Sequence, residues 1–215
     1  MRASLADQAG DQLAIALGAN LPSPAGEPAD TLVAVRRILE QELPGRLLAL
    51  VPALTHRPQL QWAPLYRTEP MGGPAGQPAY LNSALVVGSL PGVDVAVALE
   101  LLDWLQALEQ RFGRQRREHW GPRSLDLDLL WWGDVQSLAS PRLQLPHPRL
   151  QERSFVLAPL AAIDPQIRPP GAAGSVAALL EQLAAAQAPP LPLAPRPGWP
   201  EFTRSGPPPA EPRCA

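Results

Sequence analysis

The sequence predicts an α+β domain whose helices pack on a mixed or antiparallel sheet. Short apolar segments alternate with segments of helical spacing, and the resulting order, β-α-β-β-α-β, is that of a ferredoxin-like sandwich. Of the 215 residues, 46% are hydrophobic, which is enough to bury a sizeable core. A chain of this length forms one domain, with or without tails, and leaves little room for two.

The first predicted strand is the apolar run at residues 13–17, which ends in a Gly-Ala-Asn turn. Residues 1–12 before it are interpreted as a loose leader. A helix capped by Asp30 comes next, because apolar side chains then recur at helical spacing, at Leu32, Val35, Leu39 and Leu43.

Two strands and a second helix follow. The strands are predicted at residues 61–67 and 80–90. The segment 68–79 between them holds three glycines and three prolines, which is typical of a long functional loop. The helix is indicated by a wide apolar stripe at Val97, Leu101, Trp104, Leu105, Leu108 and Phe112.

The last part of the chain is predicted to hold a polar loop at 113–123, a strand at 124–132 and a final helix capped by Ser175. From residue 189 onward, 10 of 27 residues are proline. We therefore expect a disordered tail at 189–215 that adds nothing to the core, and a folded domain at 13–188.

The composition excludes several classes of protein. The formal net charge is −2, which argues against a protein that binds nucleic acid or an anionic membrane surface. All 18 basic residues are arginine, so mechanisms that need a lysine, such as that of P-loop ATPases, are excluded. The single cysteine, Cys214, leaves no disulfide framework and no cysteine-based metal site.

We expect a cytoplasmic, monomeric protein. Charges at Arg2, Asp7 and Asp11 stand where a signal peptide would have an apolar core. No window of the sequence approaches the ~20 apolar residues of a membrane span.

Two carboxylates in the strand at 124–132 are the strongest functional signal. Asp126 and Asp128 lie two residues apart and share one strand face, while the leucines around them face the core. Carboxylates roughly 6.6 Å apart along a strand can together hold a pair of hard cations such as Mg²⁺. A same-face pair repels unless something neutralises it. A solvent-facing strand edge is the alternative, and D-x-D alone does not distinguish the two.

The basic loop directly before these aspartates favours the functional interpretation. It holds five arginines around one tryptophan, namely Arg111, Arg114, Arg116, Arg117, Arg123 and Trp120. Arginine forks bind phosphate oxygens, and a tryptophan offers a face to a planar heterocycle. The loop therefore indicates a polyphosphate–magnesium site. A solvated charge run and a nucleic-acid-binding patch are the alternatives, and the slightly acidic chain argues against the second.

Other positions are weak candidates when taken alone. Gln106 and Glu109 face one way on the second helix, where a polar helix surface is the simpler interpretation. Tyr80 and Asn82 share a strand face, so the amide could read the edge of a heterocycle, although a packing pair is simpler. His147 has no Cys or His partner at metal-ligand spacing.

Four ordered motifs connect these pieces. They are Tyr66-Arg67-Thr68-Glu69-Pro70-Met71-Gly72, then Gln77-Pro78 with Tyr80-Leu81-Asn82, then Trp120-Gly121-Pro122-Arg123-Ser124-Leu125-Asp126-Leu127-Asp128, and finally Pro146-His147 with Arg153 and Phe155. In this order they resemble the 6-hydroxymethyl-7,8-dihydropterin pyrophosphokinase family of the folate pathway. The resemblance implies a ferredoxin-like three-layer α-β-α sandwich with a mainly antiparallel sheet. It also implies transfer of pyrophosphate from ATP to the hydroxymethyl group of the pterin, with release of AMP.

The resemblance further implies a role for each matching position. Asp126 and Asp128 would hold two Mg²⁺ ions, and Arg114 and Arg123 would act with them in catalysis. ATP would be bound by Gln106, Glu109, Arg116, Arg142, His147 and Arg153. The pterin would be bound by Thr68, Met71, Tyr80, Asn82, Trp120 and Phe155.

The chain departs from the family pattern in three places. The arginine loop is one residue shorter, which leaves Arg116 and Arg117 as alternatives for one position. The segment 44–61 is longer, and the proline-rich tail has no counterpart.

Overall fold

The computed structural model describes residues 11–114, 121–133 and 138–200, and every element below lies within these ranges. The strands are β1 (Leu13–Ala19), β2 (Leu60–Trp62), β3 (Tyr66–Thr68), β4 (Tyr80–Val87), β5 (Asp126–Trp132), β6 (Leu138–Ala139), β7 (Gln144–Leu145) and β8 (Leu191–Pro192). The helices are α1 (Pro28–Leu50), α2 (Val95–Arg111), α3 (Ser154–Ile163) and α4 (Val176–Leu183), with a 3₁₀ turn at Leu150–Glu152. None of these described helices has both the length and the apolar character that crossing a membrane requires.

Six of the described strands form one antiparallel sheet in the order β5-β1-β4-β3-β8, with β2 also paired to β4. The first strand of the chain therefore lies in the middle, between β4 and β5. Strands β6 and β7 form a separate hairpin. A central first strand flanked by the two strands that enclose α2 is the arrangement expected for the β-α-β-β-α-β order.

Helices cover both faces of this sheet. On one face, α1 and α2 pack against alternate residues of β1, such as Leu13 and Ile15. On the other face, α3 and α4 pack against the intervening residues, such as Ala14 of β1 and Val86 of β4. Because successive residues of a strand point to opposite faces, the two cores are separate. The prediction of a ferredoxin-like three-layer α-β-α sandwich is confirmed.

The helix caps differ in part from the prediction. Helix α1 begins at Pro28 after the cap residue Glu27, and Asp30 completes a capping box instead of capping the helix itself. The prediction of Asp30 as the cap is therefore wrong, because the cap is Glu27, three residues earlier. The predicted cap of α4 is confirmed, since Oγ of Ser175 accepts a hydrogen bond from the third residue of the helix.

The segment that looked like an extension at 44–61 begins as a continuation of α1. Pro44 lies inside the helix, and Leu47 one turn later is fully buried. Proline has no N–H for the carbonyl of Glu40. The guanidinium of Arg57 donates to that oxygen at 3.1 Å, so the carbonyl still has a hydrogen-bond partner although the helix lacks one backbone bond.

The predicted strand at 61–67 is divided into β2 and β3. Both pair with β4, and the break falls at Pro64, which cannot donate to a neighbouring strand. Strand β4 ends at Val87 rather than at residue 90. Helix α2 and strand β5 lie in the predicted segments.

The prediction of a disordered tail is wrong for residues 189–200. Strand β8 pairs with β3, and Trp199 is only 5% exposed. The indole N–H of Trp199 donates to the carbonyl of Ala63 at 2.9 Å. An extended edge strand needs few N–H donors of its own, so a proline-rich segment can form one when an apolar residue anchors it.

The predicted leader also needs a correction at its last two residues. The carbonyls of Asp11 and Gln12 accept hydrogen bonds from the N–H groups of Leu90 and Gly133, at 2.8 and 2.7 Å. Asp11 and Gln12 therefore belong to the folded domain. Residues 1–10 and 201–215, the remainder of the predicted leader and tail, lie outside the described residues.

Replacing Trp199 with Ala should lower the free energy of unfolding by about 3 kcal/mol, because it removes a buried ring and one donor to the carbonyl of Ala63. Urea denaturation followed by circular dichroism measures the loss. Arg196→Ala is the control, since its ion pair with Asp30 is exposed and such pairs contribute about 0–1 kcal/mol. Unchanged stability of Trp199→Ala would show that residues 189–200 add nothing to the fold.

Candidate active site

The two aspartates of β5 lie on the sheet face opposite the leucines between and after them. Asp126 pairs with Gly18 of β1, and both aspartate side chains are partly buried. Leu127 and Leu129 are each 2% exposed and belong to the core beneath α1 and α2. The strand alternation therefore places the carboxylates and the core as the sequence pattern predicts.

Asp126 is held by two arginines. Nη1 of Arg123 donates to its Oδ2 at 2.7 Å, and Nη1 of Arg114 donates to its Oδ1. The two guanidinium groups are mostly buried, with 21% and 12% of their side chains exposed. Burial lowers the pKa of Arg123, but the Asp126 carboxylate outweighs it and raises that pKa overall. Arg123 therefore remains charged beside the carboxylate.

Glu109 joins helix α2 to strand β5. Its side chain is 3% exposed, and its Oε1 accepts from the backbone N–H of Leu127 at 2.8 Å as well as from Arg114. A buried carboxylate without such partners would be strongly unfavourable. Glu109 is therefore part of the buried support of the site and not a polar helix surface.

The repulsion between the two aspartates acts on the pKa of Asp128. The Asp126 carboxylate, and next to it burial, raise the pKa of Asp128 from 3.8 to about 7, and Arg153 offsets only part of this rise. Nη1 of Arg153 lies 3.7 Å from Oδ2 of Asp128, whose side chain remains 38% exposed to the cleft. Two carboxylates held together in this way at a cleft are typical of a functional site.

The aspartates line a cleft together with residues of β3, β4 and α3. The cleft has about 700 Å³ of empty space, part of it open to solvent. Five of the residues predicted to bind the substrate line it, namely Thr68, Met71, Tyr80, Asn82 and Phe155. Three arginines line it as well, namely Arg123, Arg149 and Arg153. The same cleft therefore offers aromatic rings, amide and hydroxyl groups, and cationic groups.

Polar and aromatic contacts order the walls of this cleft. Nδ2 of Asn82 donates to Oγ1 of Thr68 at 2.7 Å. Gly18 lies between Asn82 and Asp126 in the sheet, and a Cβ there would lie 3.0 Å from Oδ1 of Asn82. The guanidinium of Arg153 lies 5.6 Å from the ring centroid of Phe155, within cation–π range. The absence of a side chain at Gly18 keeps the floor of the cleft open.

Asn20 is a supporting residue of the site that the sequence interpretation missed. It is 2% exposed. Its Oδ1 accepts from the N–H of Arg123 at 2.7 Å, and its Nδ2 donates to the carbonyl of Pro78 at 3.1 Å. Asn20 thus ties the loop before β4 to the segment that brings Arg123 to Asp126. Its place directly after an apolar strand was a usable signal, because buried polar side chains are hydrogen-bonded.

The structure brings the residues expected to bind ATP together only in part. Arg153 lines the cleft, but Gln106 and Arg142 are not among its described lining residues. Arg142 is 54% exposed and pairs with Asp103 of α2, and Gln106 is half-buried on the same helix. Arg116 and Trp120 lie outside the described residues.

His147 is close enough to Arg153 to feel its charge, is not among the described lining residues of the cleft, and is a neutral hydrogen-bonding group. Burial and then Arg153 lower the pKa of His147 to about 4. Its Nδ1 accepts from the N–H of Arg149 at 3.1 Å, so the proton of the neutral ring is on Nε2. That atom can donate a hydrogen bond to a ligand.

The donor set fits a divalent cation that is also bound by phosphate oxygens. Across the described ranges, no three His, Cys, Asp or Glu side chains are grouped as ligands of a metal ion, which leaves Asp126 and Asp128 as a pair. Mg²⁺ is commonly held by one or two carboxylates together with substrate phosphates and water. The arginines beside the pair are suited to the same phosphates.

Comparison with known proteins identifies relatives of the chain. The model of the 7,8-dihydro-6-hydroxymethylpterin-pyrophosphokinase family matches residues 14–165. The 2-amino-4-hydroxy-6-hydroxymethyldihydropteridine pyrophosphokinase of Pseudomonas aeruginosa is 41% identical over 157 residues, which are 73% of this chain and 82% of that protein. The protein of the same name from Synechocystis sp. is 43% identical over 139 residues, which are 63% of this chain and 64% of that protein.

Solved structures agree on the fold. The wild-type HPPK-DHPS of Plasmodium falciparum, crystallised with SDX-DHP, covers 81% of this chain at a TM-score of 0.50 and 11% identity. This chain spans 44% of that protein. The family match extends over more than half of the chain and includes the cleft-lining strands β3, β4 and β5. The chain therefore belongs to the 7,8-dihydro-6-hydroxymethylpterin-pyrophosphokinase family.

Proposed function

We propose that the protein transfers pyrophosphate from ATP to the hydroxymethyl group of 6-hydroxymethyl-7,8-dihydropterin and releases AMP, in folate biosynthesis. The observation that carries the proposal is the pairing of Asp126 and Asp128 with arginines in a cleft that also holds Asn82 and Phe155. Membership of the family supports it, because the curated relatives are named as this pyrophosphokinase.

The pterin occupies the part of the cleft between α3 and the loop after β3. Phe155 offers a ring face, and we assign Trp120 to the other side of the heterocycle. Asn82 and Thr68 supply the amide and hydroxyl groups that read its edge. Met71 is 46% exposed beside the cleft, and a ligand would cover such an apolar side chain.

The polyphosphate of ATP lies over the aspartates and arginines. Asp126 and Asp128 would hold two Mg²⁺ ions, which would supply charge neutralisation to the phosphates. We assign Arg153 and the Nε2–H of His147 to phosphate oxygens, and Gln106, Arg116 and Arg142 to the same substrate. Glu109 acts through Arg114 and the backbone of β5.

Little covalent chemistry is required of the protein. The oxygen of the pterin hydroxyl attacks the β-phosphorus in line and its proton passes to water. The bond from that phosphorus to the oxygen shared with the α-phosphorus breaks, and AMP leaves with that oxygen. Positioning and charge neutralisation supply most of the rate enhancement. Arg114 and Arg123, now bonded to Asp126, are the groups that stabilise charge on the transferring phosphoryl oxygens.

The nucleic-acid-binding alternative has no support from the family or from the names of the relatives. Asp126 and Asp128 would also repel a nucleic-acid phosphate that approached the neighbouring arginines. We further propose a monomer in the cytoplasm whose partners are ATP and the pterin, and sedimentation velocity measures the oligomeric state.

The products of a reaction with ATP, Mg²⁺ and the reduced pterin test the function. AMP should form in equal amount with the pterin pyrophosphate, as measured by anion-exchange chromatography. ADP in place of AMP would indicate transfer of the γ-phosphoryl group. Tight, salt-sensitive RNA binding without any turnover would favour the nucleic-acid module.

Asp126→Asn and Asp128→Asn should each reduce turnover by at least about 100-fold, because the site then loses a charge that would hold the cations. The AMP assay measures the effect, and the melting temperature of the same samples shows whether each variant is folded. Glu181→Gln, an acid-to-amide change at an exposed position of α4, should keep normal turnover. Active Asp variants would refute the metal assignment.

Without metal or nucleotide, Asp128→Asn should stabilise the fold increasingly as pH rises from 4 toward 7. The raised pKa of Asp128 means that the folded state disfavours its ionised form. The contribution of Asp128 to wild-type stability is therefore fully present below about pH 4 and is lost as pH rises through the raised pKa of about 7. Asparagine has no such ionisation. Thermal melts across this pH range, compared with Glu181→Gln, test the sign. A gap between wild type and variant that is constant with pH would contradict it.

Arg114→Ala and Arg123→Ala should lower kcat far more than they weaken ATP binding, since both arginines are assigned to the transition state. Steady-state kinetics and equilibrium binding of an ATP analogue separate the two effects. Arg168→Ala, which changes an exposed arginine, is the control. Weakened binding with an unchanged kcat would mean that the two arginines hold only ground-state phosphate.

A further inference from the structure

Residues 189–200, here named the C-terminal strap, complete the edge of the sheet next to the cleft. Strand β8 runs antiparallel to β3, with Leu191 opposite Arg67. The N–H of Leu193 donates to the carbonyl of Leu65 at 2.9 Å. The strap therefore occupies the side of β3 that faces away from β4.

A buried anchor fixes the end of the strap. The indole N–H of Trp199 donates to the carbonyl of Ala63 at 2.9 Å, and the ring meets Trp62 edge-on at a centroid distance of 5.6 Å. The guanidinium of Arg36 lies 5.7 Å from the Trp199 ring and donates to the carbonyl of Gly198 at 2.8 Å. The anchor and Leu193 together hold the chain at residues 63 and 65, directly before β3.

Strand β3 leads from this edge into the cleft. It has only three residues, and the last of them, Thr68, accepts the hydrogen bond from Asn82 and lines the cleft with the four residues that follow. The loop that continues to residue 79 forms no helix or strand. A strand this short with one partner is marginal, so the position of Thr68 and of the following loop depends on β8 as well as on β4.

The opposite part of the site has supports of its own. Arg123 and Asp126 are held by Asn20, Arg114 and Glu109, none of which contacts the strap through a described hydrogen bond. Loosening the strap should therefore disturb one substrate site and leave the other intact.

We propose that the C-terminal strap positions the pterin-binding wall, with Leu193 and Trp199 as positioning residues. The proposal rests on the proposed function, because the pterin is the acceptor in that reaction. When β3 loses its outer partner, Thr68 and Met71 are in place in only a fraction of the molecules. The apparent affinity for the pterin falls by that fraction, and ATP binding does not change.

Leu193→Pro in the full-length chain tests the proposal, because it removes the N–H that bonds to Leu65. Leu193→Ala is the matched control, since it shortens the side chain and keeps the N–H. The KM for the pterin should rise about tenfold in Leu193→Pro, which corresponds to about 1.4 kcal/mol. The KM for ATP should stay within about twofold of the wild type.

Trp199→Phe is a second, milder variant that keeps a smaller buried ring and removes the N–H that donates to Ala63. Hydrogen exchange followed by mass spectrometry gives a readout besides activity. Exchange at residues 66–72 should be faster in Leu193→Pro and Trp199→Phe than in wild type, and exchange at 121–130 should be unchanged. If Leu193→Pro fails to fold, the KM values and the hydrogen exchange of Trp199→Phe test the proposal instead.

The outcomes separate the strap proposal from the proposed function. Formation of AMP by the wild type tests the function alone. In an active enzyme, an unchanged KM for the pterin, or an equal rise of both KM values, would overturn the strap proposal. If the wild type proves inactive, the exchange at 66–72 still decides whether the strap positions the wall.

Discussion

A chain of ion pairs from Glu109 on α2 through Arg114 to Asp126 on β5 supports most of the site. Glu109 is buried, and a buried carboxylate is tolerated only when its oxygens have partners. Arg114 and the backbone N–H of Leu127 are those partners. Because Arg114 is shared with Asp126, the end of the helix, the start of the arginine loop and the first residue of the strand are held in one arrangement. These contacts therefore hold the charged wall of the cleft in place when no ligand is bound.

The sheet determines what stands beside that wall. Since β1 lies between β4 and β5, Gly18 brings Asn82 and Asp126 to neighbouring positions. These residues are far apart in the chain, and the antiparallel pairing is what makes them one site. The alternation of leucine and aspartate along β5 could be interpreted from sequence alone, because a strand has only two faces and the leucines require the core. Core and carboxylates were both predictable for this reason.

Other features could not be predicted, because they depend on contacts between distant segments. Helical spacing places Glu109 off the apolar stripe but does not reveal that β5 covers that side of α2. Asn20 follows an apolar strand, and only the fold shows that Arg123 and Pro78 meet there. The sequence of residues 189–200 shows no apolar periodicity. One buried tryptophan with three partners is nevertheless enough to anchor this extended segment. A high proline content means that the segment has few backbone N–H donors, and an edge strand needs few of them.

The balance of charge in the cleft explains why two such different substrates can share it. Among the described residues, Arg114 and Arg123 are paired with Asp126, Arg153 with Asp128, and Arg149 with Glu152. Glu109, the second partner of Arg114, is a fourth carboxyl group beside these four arginines, so most of the charge in the described part of the cleft is paired before any ligand binds. In the proposed reaction, a polyphosphate that enters with divalent cations would bring opposite charges that roughly cancel, so the total would change little. Each arginine can then exchange a carboxylate partner for a phosphate oxygen, and each carboxylate can exchange an arginine for a cation. Because partners would be exchanged instead of being lost, the charged groups would turn toward the nucleotide at low cost, while Asn82 and Phe155, which the proposal assigns to the pterin, would form the uncharged wall.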